Sequence, residues 1–550
     1  MCGLKTGVDP SKLHRFYGRH QPMHKTDSHY PSAEGTDVPW PVAVIDIGAT
    51  SLRMQISEIH PGGKIRKLET FSQAVSIGKD SFSEGKINKD TIEDCVHVLR
   101  IYRDKLKEYG IDDSRQLRVI ATSGVKGASN RLAFIDRIYV ATGIEVELLD
   151  EAELHRVTFV GALPFIEADS QVFSSPSVIC EVSGGTTEIL LFQGDQVMFS
   201  QSYRQGSLRM RKTLQALSGP NIGSRNHFEA QFNRMVSEIK READKYELKN
   251  LIAIGGDIRF AAKLILGDSE EGQLLKISRE KLGEVTTEIL GQSVERLISK
   301  YHLSLPEADS LGPALLAYHF LAEKLDFEDL YVAGFNLRDG IIEEMAQGGK
   351  WLDSVERQTI RSAIQLGKKF HFDEAHAVHV SQLACTIFDQ STELHELDSR
   401  FKVILEMSAI LHEIGLFVST RSYHKHSLYL IRNAEFFGIS AKDVELVGLV
   451  ARYHRRASPQ PSHDLYSKLG RNDRVMVTKL AAILRIAKAL DGARNQRIQN
   501  ISCHRKGNSV FIRISDCGDI TLESLELSKA GQLFSDIFGV QVSLESTGIE

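Results

Sequence analysis

The first clear hydrophobic pattern in the chain is a short apolar run that ends beside a carboxylate. Residues 42–47, Val-Ala-Val-Ile-Asp-Ile, predict a buried strand, and Gly48-Ala49-Thr50 predict a turn. Residues 52–59 then alternate apolar and polar positions, which is typical of a half-buried strand. The segment therefore predicts a hairpin with glycine and hydroxyl groups at its tip.

The same pattern returns further along the chain. Residues 177–181 predict a strand, residues 183–187 (Ser-Gly-Gly-Thr-Thr) a turn, and residues 188–192 a second strand. A third apolar run ends at Gly255-Gly256-Asp257, and helical segments separate these elements. The repeat predicts two similar α/β lobes, each with one turn suited to phosphate.

Beyond Trp351 the periodicity becomes helical, with helices predicted at 361–390, 402–411, 424–437, 441–453 and 474–490. A strand at 510–514 begins a small α/β tail. These patterns divide the chain into a disordered tail, a first lobe, a second lobe, a helical domain and the α/β tail. Their predicted ranges are residues 1–39, 40–180, 181–349, 350–500 and 501–550.

Composition excludes several classes of protein. The 550 residues contain no run of ~18 apolar residues and no apolar leader, so we expect neither a membrane span nor secretion. Six scattered cysteines fit the reducing cytoplasm, and a net charge of −5 argues against bulk nucleic-acid binding. Residues 451–500 carry eleven Lys or Arg and three Asp, so this segment is either a local polyanion track or a set of solvated helix faces.

The three turns indicate a phosphate and magnesium site. Turns of glycine and hydroxyl residues can point backbone N–H groups at an anion. Asp46 and Glu181 end their strands just before two of these turns, and Mg²⁺ prefers such oxygen ligands together with water and phosphate. The predicted phosphate-binding residues of the turns are Gly48, Thr50, Ser51, Gly184, Gly185, Thr186 and Gly255.

Four motifs, at residues 46–53, 121–130, 181–188 and 411–415, occur in an order and spacing that resemble one family. The chain is similar to the exopolyphosphatase/guanosine pentaphosphate phosphatase family. That resemblance implies two actin-like (ribonuclease H-like) α/β lobes, followed by an all-α HD-like domain and the small α/β tail. It also implies a possible homodimer through the helical half.

The resemblance implies Mg²⁺-dependent hydrolysis of a terminal phosphoanhydride. Glu188 and Glu153 fall at the family's two catalytic carboxylates, and Arg53 and Lys126 would offset phosphate charge. The catalytic stretch departs from the family's Ser-Gly-x-Glu-Glu-Ala, because residues 150–155 are Asp-Glu-Ala-Glu-Leu-His. Asp150 and Glu153 also have the N-cap and N3 spacing of a capping box, a role that needs no catalysis.

The helical domain resembles metal-dependent HD phosphohydrolases. The resemblance implies a second divalent metal, Fe, Mn or Zn, held by a set of histidines and acids. Glu413 replaces the usual Asp of the His-Asp pair, so the alternative is a vestigial site of packed histidines. The candidate ligands are His376, His412, Glu413, His454 and Asp491.

These observations favour a cytoplasmic exopolyphosphatase that removes terminal phosphate from inorganic polyphosphate. Guanosine pentaphosphate presents the same terminal bond and remains an alternative substrate. Two further alternatives are a non-catalytic regulator that binds polyphosphate or an alarmone, and a second phosphohydrolase centre at the histidine cluster.

Overall fold

The computed structural model describes residues 38–113, 115–216, 223–267, 272–347, 353–434, 436–455, 457–515 and 519–547. Most of the tail predicted over residues 1–39 lies outside these ranges. The first lobe is built on a five-stranded sheet of order β3-β2-β1-β4-β5. Its strands are β1 (Trp40–Ile47), β2 (Ser51–Ile59), β3 (Ile65–Ala74), β4 (Leu117–Ala121) and β5 (Glu147–Leu148).

Six helices accompany this sheet, and the longest two pack against it through apolar faces. The helices are α1 (Ile77–Glu84), α2 (Lys89–Glu108), α3 (Ser123–Lys126), α4 (Arg131–Thr142), α5 (Glu151–Glu167) and α6 (Ser170–Ser174). Cys95, Leu99 and Tyr102 of α2 are buried against the sheet. Leu52, Met54 and Ile56 of β2 share this core, but Gln55 and Ser57 are buried as well, so the prediction of a half-buried strand was wrong.

The second lobe repeats the first, with a meander of three strands beside parallel strands. Its six-stranded sheet has the order β8-β7-β6-β9-β11-β10, in which β8 to β6 match β3 to β1. The strands are β6 (Ser177–Val182), β7 (Thr187–Gln193), β8 (Gln196–Tyr203), β9 (Asn250–Ile254), β10 (Leu275–Ser278) and β11 (Asp329–Val332). The boundary predicted between residues 180 and 181 was wrong by a few residues, because it cuts through β6.

The helices of the second lobe are α7 (Ser207–Ala216), α8 (Gly223–Ala243), α9 (Gly256–Leu266), α10 (Arg279–Leu290), α11 (Val294–Tyr301), α12 (Leu305–Lys324) and α13 (Leu337–Ala346). Helix α12 supplies much of the lobe's core, since twelve of its residues are buried. Among them, Tyr318 is completely enclosed.

Helices α5 and α13 join the two lobes. Val157 of α5 and Ile341 of α13 pack with the first sheet, whereas Phe159 of α5 packs with the second. The two helices cross where a Cβ on Gly161 would lie 3.1 Å from the Cα of Gly340. Their backbones therefore touch with no side chain between them.

The third domain is helical, as predicted. It contains α14 (Asp353–Lys369), α15 (Glu374–Gln390), α16 (Thr392–His395), α17 (Phe401–Leu411), α18 (Tyr423–Arg432), α19 (Ala441–Arg452), α20 (Asp464–Lys468) and α21 (Arg471–Leu490). The single helix predicted at 361–390 was wrong, because it is two helices. His371 has a left-handed φ of 51°, and the Asp373 side chain caps α15 by accepting from the N–H of His376 at 3.2 Å.

The C-terminal tail forms a three-stranded sheet covered by one helix. Its elements are β12 (Ile501–Lys506), β13 (Ser509–Ser515), α22 (Thr521–Phe538) and β14 (Gln541–Thr547), in the sheet order β12-β13-β14. Leu527, Leu533 and Phe534 of α22 belong to the same hydrophobic core as the helices of the third domain. Within the described residues, no helix combines the length and apolar character that a membrane span requires.

Candidate active site in the cleft between the lobes

A cavity of about 310 Å³ lies where the three glycine and hydroxyl turns meet. Residues from both lobes line it, so the cavity occupies the cleft between the two sheets. The structure brings most of the residues predicted for phosphate and magnesium to this cavity. They are Asp46, Gly48, Thr50, Ser51, Arg53, Lys126, Glu181, Gly184, Thr186, Glu188 and Gly255.

The first turn connects β1 and β2. The Gly48 N–H donates to the Ser51 carbonyl at 3.0 Å, which closes the hairpin. Asp46 lies opposite Arg53 in the hairpin, and Arg338 of α13 approaches its Oδ2 at 3.5 Å. Its Oδ1 is buried without a hydrogen-bond partner. Burial raises the pKa of Asp46, although Arg338 and Arg53 oppose the shift.

The second turn connects β6 and β7. The Ser183 N–H donates to the Thr186 carbonyl at 2.9 Å, and the Ser183 hydroxyl accepts from the Thr186 N–H at 3.2 Å. Gly184 lines the cavity. Gly185 does not, because it packs against Phe82 and Ser123, and a Cβ there would lie 2.7 Å from the Ser123 hydroxyl oxygen. Gly185 therefore serves close packing beneath the turn.

The third turn leads from β9 into α9, and Tyr318 fixes its position. Gly255 has a φ of 127°, which a residue with a Cβ rarely adopts. Tyr318 donates its hydroxyl proton to the Ile254 carbonyl at 2.5 Å and accepts from the Val182 N–H at 2.8 Å. One buried phenol thus ties together the ends of the strands that carry the second and third turns.

Buried acids without a matching number of cations define the electrostatics of the cleft. Burial raises the pKa of Glu181 to about 7, and the neighbouring Glu188 adds to the shift. Burial also raises the pKa of Asp257 to about 6, although Arg53 opposes it. A bound cation would relieve both groups, because opposite charge favours the ionised carboxylate.

Glu188 is held by two side chains that sequence reasoning did not identify. Its carboxylate is 2% exposed, and its Oε2 lies 2.8 Å from the Nε2 of His155. The Ser202 hydroxyl donates to the same oxygen. His155 stands where the family motif has alanine, so this departure could be seen in the sequence. Its contact with Glu188 of β7 could not.

Glu153 was wrongly predicted to share the cleft with Glu188. Its Oε2 accepts from the Asp150 N–H at 3.2 Å, while Asp150 caps the Glu153 N–H at 2.9 Å. The carboxylate lies in a side pocket beside Arg156 and Glu344, outside the cleft cavity. Burial and Asp150 raise its pKa to about 7. The capping alternative thus accounts for the position of Glu153.

Two neighbours of Glu153 line the cavity in its place. Leu154 and Glu151 both contribute to the wall, and Glu151 lies 3.9 Å from the Nζ of Lys126. The helix turns by about 100° per residue, so adjacent positions face different directions. Glu153 matches a glutamate of the family motif, but that match could not show which residue of this helical turn faces the cleft.

Among the described lining residues there are seven acids and four Lys or Arg. Several of these lining residues were not predicted as site residues, although Thr122, Ser123, Ser183 and Asp257 lie within the motifs and turns themselves. A polyphosphate would meet net repulsion in this cavity unless cations entered with it. The charged or hydroxyl lining residues not predicted are Thr122, Ser123, Asp150, Glu151, Ser183, Asp257, Arg259, Glu307, Ser310 and Arg338.

Comparison with known proteins accounts for this arrangement. Residues 55–348 match the Ppx/GppA phosphatase family, and residues 358–529 match Ppx/GppA phosphatase, domain III. The chain belongs to the Ppx/GppA phosphatase family. Homologues in this family are hydrolases that act on phosphoanhydride bonds, and the two lobes have the actin-like fold that the resemblance implied.

Individual relatives of this Ppx/GppA family member are distant. A guanosine-5'-triphosphate,3'-diphosphate pyrophosphatase of Photobacterium profundum is 21% identical over 449 residues, which cover 80% of this chain and 86% of the relative. An exopolyphosphatase structure from Cytophaga hutchinsonii is 18% identical with a TM-score of 0.50, and covers 56% of this chain and 98% of its own. The Aquifex aeolicus family member is 19% identical with a TM-score of 0.46, over 56% of this chain and 97% of its own.

The helical domain brings together part of its predicted metal set. Ligand atoms of His376, His412 and Glu413 all lie within 4.8 Å of one another, and no other such group of three occurs in the described ranges. Asp491 and His454 adjoin this histidine cluster, since Asp491 Oδ2 lies 2.7 Å from His376 Nδ1 and the rings of His412 and His454 are 4.9 Å apart. Among the described residues, the cleft carboxylates form no such close group of three.

Proposed function

We propose that this Ppx/GppA family protein hydrolyses the terminal phosphoanhydride bond of inorganic polyphosphate in the cleft between its lobes. The observation that carries the proposal is the cavity itself, where three anion-suited turns surround the buried carboxylate of Glu188. Phosphoryl transfer depends mainly on positioning and on stabilising charge, and the cavity supplies groups for both.

Glu188 is the proposed general base. Oε2 is held by His155 and Ser202, which leaves Oε1 to accept a proton from water. The water oxygen bonds to the terminal phosphorus, the anhydride P–O bond breaks, and orthophosphate leaves the shortened chain. His155 and Ser202 act as positioning residues, because they contact Glu188 and do not line the cavity.

Mg²⁺ fits the donors of the cleft. Asp46 has a buried oxygen without a partner, and Glu181 has a raised pKa, so both would gain from a cation. Because the described cleft carboxylates form no close group of three, such an ion would be held partly through water and substrate oxygens, as Mg²⁺ commonly is. When bound, the ion would neutralise charge on the phosphoryl oxygens.

The cationic side chains of the cavity complete the proposed phosphate site. Arg259 is fixed by donation from its Nη1 to the Phe335 carbonyl at 2.8 Å, and Arg338 is anchored by Asp46. Arg53 of β2, close to the first turn, and Lys126 of α3 also line the cavity. Arginine in such a position can contact two phosphate oxygens at once, whereas Lys126 offers a point charge.

Guanosine pentaphosphate is the second candidate substrate. The observation that favours it is the Photobacterium profundum relative, which is named for that activity and is covered over 86% of its length. The cavity also has an apolar side formed by Phe260, Leu303 and Leu311, against which a base could pack. Both substrates place the same terminal bond at the turns.

The test is phosphate release from long-chain polyphosphate and from guanosine pentaphosphate, each with Mg²⁺, by the full chain and by Glu188→Gln. Glu153→Gln is the matched control, because it makes the same chemical change in the side pocket outside the cleft cavity. Release that fails in Glu188→Gln alone supports the proposal, and the faster substrate identifies the specificity. Binding of either polyanion without release by the wild type would contradict it and indicate a regulator.

A further inference from the structure

A second cavity, of about 470 Å³, lies between the second lobe and the helical domain. Strand β8 and the start of α5 form one side of it, and α14 and the segment between α18 and α19 form the other. His155 and Ser202 line this cavity and not the cleft cavity, whereas Glu188 lines the cleft cavity and not this one. Since both residues also contact Glu188, they form a wall between the two cavities.

One nitrogen of the His155 ring has no partner in this wall. Its Nε2 lies 2.8 Å from Glu188 Oε2, so Nε2 carries the proton of the neutral ring when the carboxylate is ionised. Among the described residues, no hydrogen bond reaches Nδ1, although His155 is only 4% exposed. Nδ1 is therefore an unsatisfied acceptor on a buried residue that lines the cavity, and an occupant with an N–H group could donate to it.

The rest of the cavity offers an apolar surface and a cation. Val197 is buried and Phe437 is half-buried, and both line the cavity. A flat ring could pack against such a surface. Arg361 of α14 is exposed and lines the cavity from the helical domain, where it can contact two oxygens of a phosphate at once.

We propose that this second cavity binds a nucleoside monophosphate and that the occupant raises the rate of the proposed hydrolysis. The base would donate to His155 Nδ1 and pack against Phe437, while the phosphate would contact Arg361. The volume of the cavity falls in the range of about 300–1,000 Å³ that is usual for small-molecule sites.

The effect on rate rests on the proposed function, because it acts through Glu188. The hydrogen bond made by one imidazole nitrogen determines which nitrogen carries the proton. A donor at Nδ1 of His155 keeps the proton on Nε2, from which it is donated to Glu188 Oε2. We therefore expect the occupant to raise kcat and to leave KM unchanged, since it touches the support of Glu188 and not the substrate.

The polyanion of the cleft is poorly suited to this cavity. Asp150 and Glu151 line both cavities, and Glu151 lies 3.9 Å from the Nζ of Lys126, a cation that also lines both. A polyphosphate that left the cleft here would meet two carboxylates and then an apolar surface. A single phosphate on an apolar base fits the cavity better.

The test is calorimetric titration of the full chain with AMP and with GMP, which contain no phosphoanhydride bond and so are not consumed by the proposed reaction. We expect one site per chain. Arg361→Ala should weaken binding about tenfold, because it removes charged hydrogen bonds to the phosphate. Ribose phosphate and adenosine, which lack the base and the phosphate respectively, should each bind about tenfold more weakly or worse.

Arg357→Ala is the matched control, because Arg357 lies one helical turn before Arg361 on α14 but pairs with Asp195 and does not line the cavity. Its affinity should equal that of the wild type. The more tightly bound nucleotide should raise kcat for phosphate release from polyphosphate about threefold, with KM unchanged, in the wild type and not in Arg361→Ala.

Absence of binding by both nucleotides, or equal binding by Arg361→Ala, would overturn the proposal. Displacement of the nucleotide from Glu188→Gln by long-chain polyphosphate would also overturn it, because the nucleotide would then lie in the cleft. Binding that leaves kcat unchanged would contradict the link to Glu188. If the chain releases no phosphate from either substrate, the proposed function fails, while the titrations still decide whether the cavity binds the nucleotide.

Discussion

The cleft and the histidine cluster both bury carboxylates, but the pKa values of these carboxylates shift in opposite directions. In the cleft, burial raises the pKa of Glu181 to about 7, and its neighbour Glu188 is another acid. In the histidine cluster, burial would raise the pKa of Glu413, but His412, Lys488 and Arg494 outweigh it and lower the pKa. In the first site the acids outnumber the cations, whereas in the second Lys488 and Arg494 both contact the one carboxylate.

This difference indicates how each site would respond to ligands. A site of uncompensated acids gains stability when a cation arrives, so the cleft is suited to a substrate that enters with Mg²⁺. A site with resident cations is stable without a ligand, and a metal must displace one of them. The proposed hydrolysis of a polyanion therefore belongs in the cleft, and the histidine cluster is expected to be dispensable for it.

The largest expected effect, that of Glu188→Gln, tests whether hydrolysis takes place in the cleft. Glu188→Gln should lower phosphate release at least 100-fold, which corresponds to about 2.7 kcal/mol of activation free energy, because the amide cannot take the proton from water. His412→Gln should change release less than threefold. A phosphate-release assay at saturating substrate compares both variants. The reverse result would move the catalytic centre to the helical domain.

The next effect concerns the residues that hold Glu188. His155→Ala should lower kcat about tenfold with little change in KM, because a buried carboxylate loses a hydrogen bond that fixes its orientation. His155→Gln retains a donor and should recover part of the loss. Steady-state kinetics on polyphosphate measure both. A rise in KM with unchanged kcat would mean that His155 serves substrate binding.

A smaller effect is the pH dependence of stability without metal. The pKa of Glu181 is about 7 in the folded protein against an ordinary value near 4.5, so its contribution to stability is full below pH 4.5 and is lost as pH rises through 7. Urea unfolding in chelator should therefore show a steeper loss of stability between pH 4.5 and about 7 in the wild type than in Glu181→Gln. Added Mg²⁺ should stabilise the wild type more at pH 8 than at pH 6.

The smallest effect on activity is expected for Glu153→Gln. Glutamine can still accept from the Asp150 N–H, so the capping box survives, and release should stay within twofold of the wild type. The same variant removes a buried group whose pKa is raised to about 7, so its unfolding midpoint at pH 8 should rise. A hundredfold loss of activity would place Glu153 in the reaction after all.

Most of the fold could be predicted, because it follows from periodicities that the chain shows locally. The strands that end at Asp46 and Glu181 and the helical half each have a clear hydrophobic pattern. The break between α14 and α15 is harder to foresee, since it depends on a left-handed His371 and a cap by Asp373 within one apolar repeat. Such local conformations are decided by a few hydrogen bonds.

The candidate site was predictable only where its residues carry a motif. The glycine turns and Glu188 come from contiguous segments, so their meeting in the cleft could be expected from the repeated lobes. The contact between His155 and Glu188 joins α5 to β7, and the contact of Arg338 with Asp46 joins α13 to β1. These contacts depend on how helices cross between the sheets, which no single segment encodes.

The crossing of α5 and α13 has a mechanical consequence for the cleft. Because Gly161 and Gly340 leave the two backbones in contact, a side chain added at either position would push α5 and α13 apart. A methyl group on Gly340 would strike the Val157 carbonyl and act as a wedge. Since α5 packs with both sheets and α13 packs with the first, a substitution at this crossing would alter the spacing of the lobes from a position that does not line the cleft cavity.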